Sequence, residues 1–198
     1  VAVNKKSLLF GLISLLIYLK LLCNIYYESN TININLRVRM THESIHNWKM
    51  FNIALYQPDI PQNTAAIIRL CSCFNSTLEI IEPCGFYLND KRLKKVAMDY
   101  LNRSKIITYK SYENFLQKKI NSRIILMTTK AKKNYYNFKF KFEDTLLFGR
   151  ESSGVPKNVH NNSYERLKIP LKNNARSLNI SIAAAITLSE ALRQNIWI

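Results

Sequence analysis

The chain is poor in the residues that shape special sites. Of its 198 residues only 4 are Gly, 5 Pro, 4 Cys and 3 His. The cysteines form no Cys-x-x-Cys pair: Cys71 and Cys73 are one residue apart, Cys23 and Cys84 stand alone, and no His lies at ligand spacing from them. That argues against a zinc centre, and no metal ligand set is expected. The thiols are better read as small buried side chains in a reducing cytosol. With so few glycines, each marks a place where conformation or close approach demands one. Repeats and long low-complexity linkers are missing as well. Acidic residues are scarce, 13 Asp and Glu against 29 Lys and Arg, for a net charge of +16. An excess of this size points to a polyanionic partner, nucleic acid or an anionic membrane face. A coding bias toward Lys, Asn, Ile and Tyr supplies part of it and does not exclude RNA binding.

What is present suffices for a core. Apolar residues make up 47% of the chain, and the length suits one domain with an appendage. Residues 1–49 differ from the rest. Lys5 and Lys6 precede an apolar run from Leu8 to Leu19, interrupted by Lys20, with no small-residue cleavage site after it. Three readings fit: an untranslated or dispensable extension, a membrane or targeting segment, and an ordered part of the fold. Membrane contact is expected only if residues 1–22 are present and inserted. Met50 directly precedes the first convincing strand. The expected division is therefore 1–49 as an extension and 50–198 as the functional domain. Residues 50–198 carry 23 Lys and Arg against 11 Asp and Glu, a net +12, so the charge does not depend on the extension.

From Met50 short apolar strands alternate with helical patterns. Strands are expected at Phe51–Tyr56, Thr77–Ile81, Lys105–Tyr109, Arg123–Thr129, Thr145–Phe148 and Leu167–Ile169. Helices are expected from an Asn63-Thr64 cap to about Phe74, after Asp90 through the basic Lys91–Lys95 run, over Tyr112–Lys119, and over Leu178–Gln194 with Ile182, Ile186 and Ser189 on one side. Residues 130–143 read as a surface connection. Strands that lack polar alternation indicate an α/β fold, a parallel sheet covered by helices on both faces.

Three polar clusters then sit at strand ends: Asn63 with Arg69, the Gly149-Arg150-Glu151 turn, and the Arg176-Ser177-Leu178-Asn179 turn. Ligands of open α/β sheets bind outside the carboxyl ends of the strands, so the clusters are expected to converge. Singly, each has a plain explanation: Asn63 and Asn179 as helix caps, Arg69 as a solvated side chain.

Together the segments resemble a known family. Asn63-Thr64 with Ile68-Arg69, Phe148-Gly149-Arg150-Glu151-Ser152-Ser153-Gly154-Val155-Pro156, and Ile169-Pro170-Leu171 with Ala175-Arg176-Ser177-Leu178-Asn179 look like the three motifs of SPOUT methyltransferases, the trefoil-knotted RNA 2′-O-methyltransferases. Pro58-Asp59-Ile60-Pro61-Gln62-Asn63-Thr64, Ile81-Glu82-Pro83, Gly85-Phe86 and Asp90-Lys91-Arg92-Leu93 are similar to the group acting on the tRNA wobble nucleotide. Asp99-Tyr100 and Thr128-Thr129-Lys130 fit the same pattern. One departure is Ala65-Ala66, where that group usually has Gly-Asn.

The resemblance implies a C-terminal trefoil knot, S-adenosylmethionine as methyl donor, tRNA as partner, a cytoplasmic homodimer with a site completed across the interface, and methylation of the wobble pyrimidine, with leucine tRNAs as substrates. A related enzyme acting on another tRNA or rRNA site, and a non-catalytic RNA-binding relative, are the alternatives. Arg69 would activate or stabilise the ribose 2′-oxygen, Asn63, Ser177 and Asn179 would hold ribose and cofactor, and Glu151 would orient an arginine or the ribose. Met127, Thr128, Gly149, Ile169, Leu171, Ser177 and Leu178 would cradle the cofactor. Lys91, Arg92, Lys94, Lys95 and Arg150 would track the RNA backbone.

Overall fold

Seven short strands, every neighbouring pair parallel, carry the fold. The computed structural model describes residues 50–87, 90–97, 99–172 and 175–195, which belong to one unit, Lys49–Ile198. The readings of residues 1–49 lie outside the described residues. Among the described residues no helix is long and apolar enough to cross a membrane.

In chain order the elements are β1 (Asn52–Tyr56), α1 (Pro61–Cys73), β2 (Thr77–Ile81), α2 (Lys91–Ala97), α3 (Tyr100–Arg103), β3 (Ile106–Tyr109), α4 (Tyr112–Lys118), β4 (Ile124–Met127), β5 (Lys133–Asn134), a 3-10 turn (Tyr135–Asn137), β6 (Thr145–Phe148), α5 (Lys157–Asn162), β7 (Glu165–Lys168) and α6 (Ile180–Asn195). The sheet order is β3-β2-β1-β6-β4-β7-β5. Successive residues of the central strands go to opposite faces. Ile53, Leu55, Ile80, Ile125, Leu146 and Phe148 join a core with α1, α2 and α6, while Ala54, Ile81, Leu126 and Leu147 join a second core with Tyr112 and Phe115 of α4 and Val159 of α5. A sheet buried on both sides needs apolar residues at nearly every position, which is why these strands do not alternate with polar ones.

Helix α1 begins earlier than its polar residues suggest. Pro61 occupies the first turn after Ile60, and no side chain caps the end. Proline there lacks only an N–H that the first turn leaves unpaired anyway. Asn63 is thus inside the helix and free to bond elsewhere. At α2 the expected cap is present: Asp90 Oδ1 accepts the Arg92 N–H at 2.7 Å.

Two further expectations are corrected. The segment 130–143 is not merely a surface connection: it supplies edge strand β5, and Phe138 and Phe140 are 7% and 4% exposed, their rings 5.1 Å apart. The period-two pattern Phe138-Lys139-Phe140-Lys141-Phe142 sends aromatics inward and lysines outward. Gln194 of α6 pins this run by accepting the Phe140 N–H at 3.0 Å and donating to the Phe138 carbonyl at 3.0 Å. On α6 itself the buried side is Ile180, Ala184, Thr187, Leu188, Ala191 and Leu192, whereas Ile182 is 52% exposed and Ser189 is exposed. Ile182 misdirects the reading; the small, fully buried Ala184 and Ala191 lie on the packed side.

Candidate active site

The sheet order sets β1, β6, β4 and β7 side by side, all pointing one way. The turns that follow their carboxyl ends therefore share one edge, the expected place for a ligand in a sheet of this kind. A cavity of about 570 Å³ lies there.

Its walls come from separate parts of the chain. Met127 ends β4 and Thr128 follows it, Phe148 ends β6 and Gly149 follows it, and Ile169 and Leu171 follow β7. Ser177, Leu178 and Asn179 lead into α6 and complete the rim. Every residue expected to cradle a cofactor thus lines this one cavity. Gly149 is required by packing: a Cβ there would lie 2.7 Å from the Gly154 carbonyl carbon and 2.9 Å from Val155 Cγ1. The turn beyond it closes on itself, Arg150 and Gly154 exchanging backbone hydrogen bonds of 3.0 and 2.9 Å. Gly154 has φ of +70°, which its lack of a side chain permits.

Three of the expected catalytic residues form one polar chain. Asn179 Nδ2 donates to Asn63 Oδ1 at 2.9 Å, and Asn63 Nδ2 donates to Glu151 Oε1 at 3.0 Å. Glu151 Oε2 accepts the Asp59 N–H at 2.9 Å. Asn179 also caps α6, its Oδ1 accepting from the Ser181 N–H at 2.8 Å and the Ser181 hydroxyl at 2.6 Å. The plain and the functional readings of Asn179 hold together: one carboxamide oxygen anchors the helix while its nitrogen faces the site. The cap and Glu151 fix both amide orientations, because each oxygen must accept and each nitrogen must donate.

One ion pair stands beside the cavity. Arg150 lies against Asp59 and holds its carboxyl below the usual carboxylate range, with Ser152 adding to the effect. The same contact pushes the Arg150 guanidinium up. Burial pushes the His160 imidazole down, helped by Lys130 and Arg166. His160 and Lys130 both line the cavity. Nothing in the sequence singled out His160, a lone histidine on a short polar helix. Asp59 was visible only as part of a turn.

The remaining residues lie elsewhere. Arg69 is exposed on α1, its guanidinium 5.2 Å above the Tyr100 ring. It stands six residues after Asn63, about 9 Å along the axis and about 240° around it, so it leaves by another side of the helix. Lys91, Arg92, Lys94 and Lys95 are exposed on α2 and do not line the cavity, and Arg92 pairs with Asp90 at 2.8 Å. Among the described residues no group of His, Cys, Asp or Glu is arranged to hold a metal ion.

The chain is similar to known proteins. The model of the SpoU rRNA methylase family matches residues 50–189. A protein of Beijerinckia indica named tRNA (cytidine(34)-2′-O)-methyltransferase is 45% identical over 144 residues, covering 72% of this chain and 90% of that one. The protein of the same name from Escherichia coli K12 is 36% identical over 147 residues, covering 73% and 94%. A solved structure described as giving structural insights into 2-OH methylation of C/U34 on tRNA superposes with a TM-score of 0.71 at 33% identity, over 74% of this chain and 96% of that one. The match takes in β1 through most of α6, and with them every turn that builds the cavity: this chain belongs to the SpoU rRNA methylase family.

Proposed function

We propose that this chain transfers a methyl group from S-adenosylmethionine to the ribose 2′-hydroxyl of the wobble pyrimidine, position 34 of tRNA, as the names of its 45% and 36% identical relatives suggest. Leucine tRNAs are the proposed substrates. The observation that carries the reading is the polar chain Asn179–Asn63–Glu151 lining a cavity that also has apolar walls.

The cavity suits the proposed donor. Its volume of about 570 Å³ is ordinary for a small-molecule site. Leu126, Met127, Phe148, Ile169, Leu171 and Leu178 offer apolar walls for a flat base, and Asn63, Thr128, Ser177 and Asn179 offer hydrogen-bonding groups at the rim. When bound, S-adenosylmethionine supplies a methyl group already activated on a sulfonium. The chain's own task is then to align the ribose oxygen with that methyl and to stabilise negative charge on it. Glu151 and Asn63, each held by two partners, serve the alignment. Arg69 serves the charge, by placing a guanidinium at substrate phosphate and the developing alkoxide. An isolated guanidinium stays protonated, so proton acceptance by Arg69 needs neighbouring phosphate.

Arg69 leaves α1 away from the cavity of its own chain, and this favours a homodimer in which it serves the partner's cavity. The exposed Ile60, Leu178 and Ile182, at 41%, 36% and 52%, are available apolar surface for such an interface. Lys91, Arg92, Lys94, Lys95 and Arg150 are proposed tRNA contacts. We assign residues 50–198 to the methyltransferase domain and 1–49 to an extension outside it, with the C-terminal segment knotted through an earlier loop and the enzyme acting in the cytoplasm.

The test combines donor titration with turnover. The unaltered chain should bind S-adenosylmethionine in calorimetry and methylate tRNA; absence of donor binding sinks the enzyme reading. Arg69→Ala should abolish turnover and leave donor binding intact, and full activity in that variant would contradict the role given to Arg69.

A further inference from the structure

Asp59 lies in the Gln57–Pro61 turn after β1, outside the residues assigned to chemistry above. Its carboxylate grips the second loop at two points. Oδ1 accepts from Arg150 Nε at 3.1 Å and Nη2 at 2.5 Å. Oδ2 accepts from the Ser152 N–H at 3.2 Å and the Ser152 hydroxyl at 2.6 Å. Between those two residues is Glu151, whose carboxylate accepts the Asp59 N–H at 2.9 Å. One residue therefore holds both flanks of Glu151 with its side chain and the Glu151 carboxylate with its backbone.

Asp59 is itself fixed from behind. Gln57 holds a left-handed φ of 47°, uncommon for a residue with a side chain, and its N–H donates to the Ile81 carbonyl at 2.8 Å. Gly85 donates its N–H to the Pro58 carbonyl at 2.9 Å, and a Cβ at Gly85 would meet Asp59 Cα at 3.0 Å and its carbonyl oxygen at 3.1 Å. A strained turn kept by its surroundings, at the edge of a cavity, is a place where structure holds a site in position. The side chains of Asp59 and Arg150 are 19% and 34% exposed, so the pair is only partly open to solvent screening.

We infer that Asp59 is a positioning residue for methyl transfer: it fixes the Arg150–Ser152 turn so that Glu151 keeps Asn63, and through Asn63 the Asn179 amide, in the orientation that ribose and donor meet. The inference rests on the methyltransferase reading of this cavity. It also gives Arg150 an internal partner ahead of any RNA phosphate. Side chains on loops stay within a fraction of an ångström of a productive geometry only when a supporting layer holds them.

The experiment uses the full chain with tRNA and S-adenosylmethionine. Asp59→Asn keeps the size of the side chain and removes the charge that Arg150 and Ser152 share. Single-turnover rates should fall by about tenfold or more, as expected when reacting groups shift by a fraction of an ångström, with donor affinity changed less than about threefold. In an Glu151→Gln background the same substitution should add less than about threefold, because residues that act through one another are not additive. A merely structural residue would lower the rate by the same factor in both backgrounds. Ser152→Ala, which removes one hydrogen bond and leaves the charge pair, provides a milder variant should Asp59→Asn fail to fold; it should show a smaller loss that likewise vanishes with Glu151→Gln. Full activity of these variants, or undiminished effects in the Glu151→Gln background, overturns the role of Asp59. Failure of the unaltered chain to methylate RNA is seen without any substitution and overturns the parent reading together with this one.

Discussion

A methyl group added at Gly149 would fall 2.7 and 2.9 Å from the backbone carbons of Gly154, and backbone is the least yielding neighbour it could meet. Gly149→Ala should therefore open the turn and cost about 1–3 kcal/mol of stability in denaturant unfolding, together with weakened donor binding. A variant as stable as the parent would show that the turn is not closed as described. The same turn shows how much of the site was legible in residues. Gly149, Glu151, Ser177 and Asn179 could be located because glycine in a Gly-poor chain and polar residues at strand ends are conspicuous. The bonds among them were not legible. Asn63 looked like a helix cap, and only Pro61 taking the first turn frees it to join Glu151 and Asn179. His160 gave no signal and Asp59 was visible only as part of a turn, because what each side chain meets is set by residues distant in the chain.

Among the elements, the strands were the most legible part of the fold, since a buried parallel sheet writes unbroken apolar runs into the sequence. The stretch 130–143 was misjudged because its lysines hide a period of two. Phe138 is the residue that decides the matter: it is 7% exposed, stacks edge-on to Phe140, and lies 5.0 Å below both Arg123 and Lys133. Phe138→Ala should cost about 3–5 kcal/mol, the usual range for emptying an aromatic site, whereas a surface loop would tolerate the change within about 0.5 kcal/mol. Helix α6 carries a related lesson. Its inward face is written in Ala184, Ala191, Leu188 and Leu192 together with Ile180, whereas Ile182 is left outside. Close approach between elements is set by small residues, and hydrophobicity alone does not reveal it.

At the scale of the whole molecule, charge and topology point the same way. Residues 50–198 carry a net +12, suited to a phosphate backbone, and the carboxyl ends of four adjacent strands open on one cavity. The basic residues of α2 lie outside that cavity, as expected if they track RNA while the turns hold the reacting ribose. Arg69 is exposed on α1 and does not line the cavity of its own chain, so the role proposed for it requires a second chain. The most direct measurement is the position of the methyl group. Unmodified leucine tRNA incubated with the protein and S-adenosylmethionine should gain one 2′-O-methyl group, mapped by mass spectrometry to the pyrimidine at position 34, the site named in the relatives. A methyl group at any other nucleotide, or none despite donor binding, would contradict the proposed function.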